Sequence, residues 1–293
     1  MAGHANKFPK PRKLCEADTG FEIVIECRGI FVRAAMKYCA ILVSVFMLWS
    51  VHPNAADATC SDLSLVLAID GSGSIDDGEY ALQVAGYAAA FVDPEIHQAL
   101  AGAGIVDIAA VLWADSDFLP QIIPWHRIQK SRDSALLSQD ILAMRRLTTG
   151  DTDLGTGLSI ALEMLDLPNR CTTRAVINVS GDGKASIAPK RKIAKISLPV
   201  VRAQAAELGV VVNGLAIVNE VPDLEKYYRT ELIVGDGSFV MKVSDFVDFR
   251  RAIKQKLIRE IDSAYSASLD HEPYSDRRVQ LARLTDAQKQ FFP

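Results

Sequence analysis

Residues 63–74 read LSLVLAIDGSGS, an apolar run that ends abruptly in a loop of aspartate, glycine and serine. A nearly continuous apolar run is typical of a strand buried on both faces, as the strands of parallel sheets are. Asp76 can cap a following helix, and Glu79, three residues later, completes a capping-box pattern. The segment therefore predicts a strand, a loop and a helix in succession.

The same alternation continues along the chain. Strands are predicted at residues 106–113, 121–128, 174–179, 210–218 and 239–243, and helices at residues 134–147, 155–167, 199–208 and 246–261. Pro120 and Pro124 favour an edge position for the 121–128 strand, because proline cannot donate a ladder hydrogen bond. We therefore expect a doubly wound α/β fold, with a mostly parallel central sheet, helices on both faces and one antiparallel edge strand.

The N-terminal region has the features of an export signal. Lys37 precedes an apolar run over residues 38–49, and the small residues Ala56 and Ala58 follow. This pattern predicts a signal peptide over residues 36–58. An uncleaved membrane anchor is disfavoured, because a spanning helix needs about 20 apolar residues. We therefore expect a periplasmic or secreted protein with no stable membrane insertion after cleavage.

Cleavage after Ala58 divides the chain into regions. Residues 1–35 are interpreted as a non-native or flexible extension, and translation from either Met1 or Met36 stays open. Residues 59–262 are expected to form one domain, and residues 263–293 a polar C-terminal tail that could contain one short docking helix.

Charge and composition argue against one class of partner. The chain has 293 residues, of which 49% are hydrophobic, and a formal net charge of -4. Nucleic-acid binders usually carry clustered positive charge that neutralises phosphates. The one basic cluster, at residues 190–195, is interpreted as a solvated loop. We therefore expect no nucleic-acid partner.

Three loops carry hydroxyl and carboxylate groups beside predicted strands or helices. They are Asp70-x-Ser72-x-Ser74, Gly150-x-Thr152 and Gly181-Asp182-Gly183. Asp70 and Asp182 end the first and fourth strands, which flank the crevice where ligands bind in doubly wound sheets. Two facing carboxylates repel each other without a cation, and oxygen ligands suit hard cations. The sequence therefore predicts a divalent cation, with Mg²⁺ favoured over Mn²⁺ or Ca²⁺.

These loops resemble the metal-ion-dependent adhesion site, or MIDAS, of von Willebrand factor type A and integrin inserted domains. The resemblance covers roughly residues 60–262 and is greatest to an exported bacterial branch of these domains. It implies that Ser72, Ser74 and Thr152 offer hydroxyls to the metal, with Asp70 and Asp182 binding directly or through water. It also implies that a carboxylate of a partner protein completes the coordination, so that the domain is an adhesion or assembly module and not an enzyme.

The resemblance has departures, and other functions stay open. Asp151 and Asp153 are additional carboxylates that could tune metal affinity or recruit a second cation. Ser180 and Gly181 precede Asp182, where relatives often have threonine directly before the aspartate. One alternative is a metal-dependent hydrolase or phosphotransferase with Asp70 as nucleophile, although its relatives carry a second aspartate where this chain has Ser72. Another is a metal-free scaffold whose DGSGS segment is only a turn with a helix cap.

Cysteine and histidine usage adds two expectations. Three of the five cysteines lie in the part expected to be removed, which leaves Cys60 and Cys171 in an oxidising compartment. If the first and fourth strands are neighbours, their starts lie about 5 Å apart, which suits a disulfide. We therefore predict a disulfide between Cys60 and Cys171, and the alternative is two separate free thiols. His97 and His126 lack the paired spacing of zinc ligands and are interpreted as surface or packing residues.

Overall fold

The computed structural model describes residues 60–267, except residues 116, 148, 167–170 and 187–195. The predicted signal peptide, the region before it, the basic cluster and residues 268–293 of the predicted tail lie outside the described residues. Among the helices in the described ranges, none is long and apolar enough to cross a membrane.

A six-stranded sheet forms the centre of the domain. Its strands are β1 Ser61–Asp70, β2 Val106–Trp113, β3 Gln121–Ile128, β4 Thr172–Gly181, β5 Val211–Ile217 and β6 Val240–Val243. They lie in the order β3-β2-β1-β4-β5-β6. Only β3 is antiparallel to its neighbour, and it lies at the edge of the sheet. The chain order reverses between β1 and β4, as the sequence predicted, and the fold class is confirmed.

Helices cover both faces of this sheet. They are α1 Asp77–Phe91, α2 Pro94–Gly102, α3 Ser131–Ala143, α4 Leu154–Leu165, α5 Leu198–Leu208, α6 Leu224–Tyr227, which continues as a π-helical turn over Tyr228–Leu232, and α7 Phe249–Ala267. Apolar residues of α1, α2, α3 and α7 share one core cluster with one face of β1, and those of α4, α5 and α6 share a second cluster with its other face. Both faces of β1 are therefore buried, which explains its continuous apolar run.

Caps set the limits of several helices. Asp76 and Glu79 form the predicted capping box of α1, with hydrogen bonds of 2.8 and 2.9 Å. The prediction missed α2, which begins with Asp93 as N-cap and Pro94 in its first turn. The predicted 134–147 helix instead runs from Ser131 to Ala143, because Met144 has extended backbone angles.

Candidate metal centre

The three predicted loops meet at the carboxyl edge of the sheet. Asp70 is the last residue of β1, and Asp182 directly follows β4, its parallel neighbour. Thr152 lies just before α4, and its loop is joined to the first loop by a 2.8 Å hydrogen bond from the Gly73 amide to the Gly150 carbonyl. The fold thus brings together stretches that are far apart in the sequence.

All five predicted metal ligands belong to one hydrogen-bonded group. The Thr152 hydroxyl donates to Ser72 Oγ at 3.2 Å, and Ser72 Oγ lies 3.2 Å from Ser74 Oγ. Ser74 Oγ donates to Asp182 Oδ1 at 2.8 Å. Asp70 Oδ1 accepts the backbone N–H of Ser72 at 2.8 Å. Three hydroxyls and two carboxylates therefore converge on one small volume.

The two carboxylates are buried without full compensation. Asp70 and Asp182 are 0% and 1% exposed, and among the described residues neither Oδ2 atom has a hydrogen-bond partner. Burial, followed by the charge of Asp182, raises the pKa of Asp70 to about 7. Burial also raises the pKa of Asp182, although the hydrogen bond from Ser74 opposes that rise. Buried carboxylate oxygens are normally paired or bound to metal, so this donor set fits a divalent cation.

Two glycines allow the loops to approach closely. A Cβ atom on Gly181 would lie 2.7 Å from Asp70 Oδ2 and 2.8 Å from the Tyr228 hydroxyl oxygen. A Cβ atom on Gly183 would lie 2.8 Å from Thr152 Oγ1. Any side chain at either position would displace a donor atom of the group, so the Gly-Asp-Gly sequence has a steric cause.

Three residues that sequence reasoning missed hold the loops in place. Gln83 of α1 donates from Nε2 to the carbonyl of Asp70 at 2.9 Å. Arg146 donates to the carbonyl of Ser72 at 3.0 Å and to Asp77 at 2.8 Å. Tyr228, in the π-helical turn, donates to the carbonyl of Gly183 at 3.4 Å. Of these three residues, Gln83 stands out in the sequence, because it is a polar residue within the apolar run of α1.

Of the two extra aspartates in the threonine loop, Asp153 has a clear structural role. Asp153 is the N-cap of α4, accepting from the Thr156 amide at 3.2 Å and from its hydroxyl at 2.8 Å. The Asp151 amide donates to Asp115 Oδ2 at 3.4 Å. Within the described ranges no three His, Cys, Asp or Glu side chains form a metal-binding group. The two hydrogen bonds from Thr156 give the carboxylate of Asp153 a capping role.

The remaining candidates lie away from this site. Cys60 and Cys171 are joined by a disulfide beside the starts of β1 and β4, with their Cα atoms 4.7 Å apart. His97 bonds through Nε2 to the carbonyl of Phe91 at 2.9 Å. His126 Nε2, on β3, lies 2.8 Å from Asp140 Oδ2, on α3. Both histidines therefore have local structural contacts.

One family model and several solved structures are similar to this chain. The family model described as "Protein of unknown function (DUF1194)" matches residues 59–265. Among the curated proteins, none matches this chain. The pilus adhesin SpaC from Lactobacillus rhamnosus GG has a similar structure, with a TM-score of 0.53 and 11% identity over 71% of this chain and 31% of the adhesin.

Two further solved structures are similar. A von Willebrand factor type A protein from Catenulispora acidiphila has a TM-score of 0.43 and 16% identity over 70% of this chain and 43% of its own. Proximal thread matrix protein 1 from the mussel byssus, with a zinc-occupied MIDAS motif, has a TM-score of 0.46 and 17% identity over 69% of this chain and 48% of its own. The chain thus matches less than half the length of each relative. The fold is of the von Willebrand factor type A kind.

Proposed function

We propose, from the premise that this chain belongs to the DUF1194 family and has a von Willebrand factor type A fold, that it is a metal-dependent protein-binding module. In this proposal a divalent cation at the three loops captures an acidic side chain of a partner protein. The module serves adhesion or assembly. It acts outside the cytoplasm, in the periplasm or as a secreted protein.

One observation carries the proposal: two buried carboxylates each leave one oxygen unpaired beside three hydroxyl groups. Ser72, Ser74 and Thr152 would supply hydroxyl ligands, and Asp70 and Asp182 would bind directly or through water. Oxygen donors of this kind favour Mg²⁺, with Mn²⁺ or Ca²⁺ as other candidates. When bound, the cation supplies a positive charge that attracts a carboxylate.

Two features support the proposed location. The Cys60–Cys171 disulfide is of a kind that persists in oxidising compartments. The sequence over residues 36–58 has the pattern of a signal peptide. The disulfide and the signal-peptide pattern therefore both support export.

Calorimetric titration with MgCl₂ tests the metal. Binding of one ion per chain is expected for the native protein and for Asp151→Asn, which changes a carboxylate of the same loop outside the ligand set. Asp70→Ala should abolish the binding signal. If millimolar Mg²⁺, Mn²⁺ or Ca²⁺ produced no heat of binding and did not stabilise the native protein, the proposal would be rejected in favour of a metal-free scaffold.

A second measurement tests what the metal does. The native protein with Mg²⁺ should bind a synthetic peptide that contains glutamate, and EDTA should abolish that binding while leaving cooperative unfolding intact. Peptide binding that persists in EDTA would contradict the proposal. Phosphatase turnover that is lost in Asp70→Asn would instead support the hydrolase alternative.

A further inference from the structure

We propose that Tyr228 is a positioning residue of the metal centre, whose buried hydroxyl donates a hydrogen bond to the Asp70 carboxylate when that carboxylate binds the cation. The inference rests on the proposed function and adds a residue that lies outside the predicted ligand set. The hydroxyl would fix the orientation of Asp70 without itself binding the cation. The position of the hydroxyl, its weak bonding and the close packing of the ring support this role.

The Tyr228 hydroxyl lies beside the buried carboxylates. A Cβ atom on Gly181 would lie 2.8 Å from this hydroxyl oxygen and 2.7 Å from Asp70 Oδ2, so the two oxygens are neighbours across one glycine. After the larger effect of burial, the charges of Asp70 and Asp182 raise the pKa of the phenol well above its usual value. The hydroxyl therefore keeps its proton at neutral pH and can act as a donor in this space.

Hydrogen bonding beside Gly181 is incomplete on both sides. The Tyr228 hydroxyl donates to the carbonyl of Gly183 at 3.4 Å, which is long, since hydroxyl donors usually lie about 2.5–3.0 Å from an acceptor oxygen. Within the described ranges, Asp70 Oδ2 has no hydrogen-bond partner. Buried hydroxyls and carboxylate oxygens are normally well bonded. A weakly bonded donor and an unpaired acceptor thus share one buried space.

The charge of the carboxylate determines which acceptor the hydroxyl prefers. A metal-binding carboxylate is ionised, and a hydroxyl donates more strongly to an ionised oxygen than to a neutral carbonyl. We therefore expect the Tyr228 hydroxyl to leave the carbonyl of Gly183 for Asp70 Oδ2 when the cation is bound. Asp70 is favoured over Asp182, because the charge of Asp70 has the larger effect on the phenol.

The ring of Tyr228 is packed closely enough to hold its hydroxyl in place. The side chain is fully buried, and a Cβ atom on Gly214 of β5 would lie 2.9 Å from Tyr228 Cδ2. Tyr228 begins the π-helical turn, in which its carbonyl accepts the amide of Ile233 at 3.0 Å. Single turns of this kind occur frequently at functional sites. The turn and β5 together therefore direct the hydroxyl to the edge of the metal centre.

The preceding residue, Tyr227, provides a matched control. Its hydroxyl also contacts the loop that follows β4, where it bonds to the backbone of Ala185. After burial and this hydrogen bond, the charges that shift the pKa of its phenol are those of Glu231 and Lys184, and neither is a predicted metal ligand. Tyr227→Phe therefore removes a hydroxyl that braces the same loop through a different contact.

Calorimetric titration with MgCl₂ compares Tyr228→Phe with Tyr227→Phe and the native protein. Loss of a hydrogen-bond partner of a metal ligand typically weakens metal binding about 10–100-fold, so Tyr228→Phe should bind Mg²⁺ at least about tenfold more weakly. Tyr227→Phe should bind Mg²⁺ as the native protein does, and both variants should unfold cooperatively in urea with EDTA. Native affinity in Tyr228→Phe would overturn the inference. An equal loss in both variants would also overturn it, because bracing of the loop would then explain the effect.

Fluorine NMR gives a second measurement that keeps both hydroxyls. One sample carries meta-fluorotyrosine in place of Tyr228, and a second carries it in place of Tyr227. Saturating Mg²⁺ should shift the resonance of the first sample more than that of the second, because only the Tyr228 hydroxyl changes its acceptor. If Mg²⁺ binds and the resonance at Tyr228 does not move, the inference is wrong although the metal site stands. If the native protein binds no Mg²⁺, the proposed function fails, and the inference fails with it.

Discussion

Replacing Asp70 by asparagine should make the metal-free protein more stable, even though the side chain is fully buried at the end of β1. The carboxylate is close enough to Asp182 for the two charges to repel each other. Asparagine keeps the shape of the side chain and an oxygen that can accept the Ser72 amide, and it removes the charge. The substitution therefore relieves both the burial of that charge and the repulsion.

The expected gain in stability follows from the pKa of Asp70, which burial and the nearby carboxylate of Asp182 raise from its ordinary 3.8 to about 7. Each tenfold change in a dissociation constant is worth about 1.4 kcal/mol, so ionisation costs the native state at most about 4 kcal/mol. Because the native side chain binds its proton more tightly than the unfolded chain, metal-free stability falls as the pH rises from about 4 to about 7. Allowing for relaxation and for the new amide group, we expect Asp70→Asn to gain about 1–3 kcal/mol at pH 8.

Urea unfolding at pH 8, in EDTA and in saturating Mg²⁺, measures this gain. The native protein should be stabilised by Mg²⁺, by about 2.7 kcal/mol at a hundred times the dissociation constant, and Asp70→Asn should not respond. Asp107→Asn is the control, because this buried carboxylate is fully paired with Arg127 at 2.9 and 3.0 Å. It should lose about 1–3 kcal/mol in both conditions. If Asp70→Asn were less stable than the native protein in EDTA, the charge of Asp70 would have to be compensated in the metal-free native state, contrary to this prediction.

Three other changes should alter stability or metal binding in defined ways. Loss of the disulfide in Cys60→Ser/Cys171→Ser opens a loop with a sequence separation of 111 and should cost about 4–5 kcal/mol in urea unfolding; a cost below about 1 kcal/mol would contradict this. Gly181→Ala would place a methyl group 2.7–2.8 Å from two buried oxygen atoms and should weaken Mg²⁺ binding in calorimetry at least about tenfold, and unchanged affinity would show that the loop can adjust. Lys256→Met leaves the buried Glu260 without the cation 2.6 Å away and should cost about 3–5 kcal/mol, measured by thermal unfolding; a neutral effect would show that the carboxyl group gains a proton or reaches water.

The fold was predictable because its main signals are local. The apolar run of β1 reflects burial on both faces, and Pro124 fits a strand that pairs with only one neighbour. Helix α2 was missed because its nine residues carry a short apolar pattern, although Asp93 and Pro94 form a start signal. Short elements depend on caps more than on periodicity, so Asp93 and Pro94 are the stronger signal for this helix.

The donor set of the candidate site was also predictable, but its supporting contacts were not. Ser72 and Ser74 lie in a short motif, whereas Arg146 reaches the same loop from 74 residues away. Lys256 and Glu260 show most clearly what a local pattern cannot predict. Their spacing is typical of an ion pair on a solvated helix face, but both side chains are fully buried. Their environment depends on Asn178 and Asn213 of neighbouring strands, which bond to Glu260 at 2.7 and 3.0 Å and which no local pattern predicts.

The position of the disulfide has a mechanical consequence. Strand β1 runs for ten residues, about 33 Å, between Cys60 at one end and Asp70 at the other. A pulling force between a ligand held at Asp70 and the N-terminal end of the domain would act along this strand. Such a force would load the covalent backbone of β1 between its two ends, and the bond from Cys60 to Cys171 would pass part of it to the neighbouring strand β4. Under the proposed function, tension on a captured ligand would therefore pass through the central strand and the disulfide.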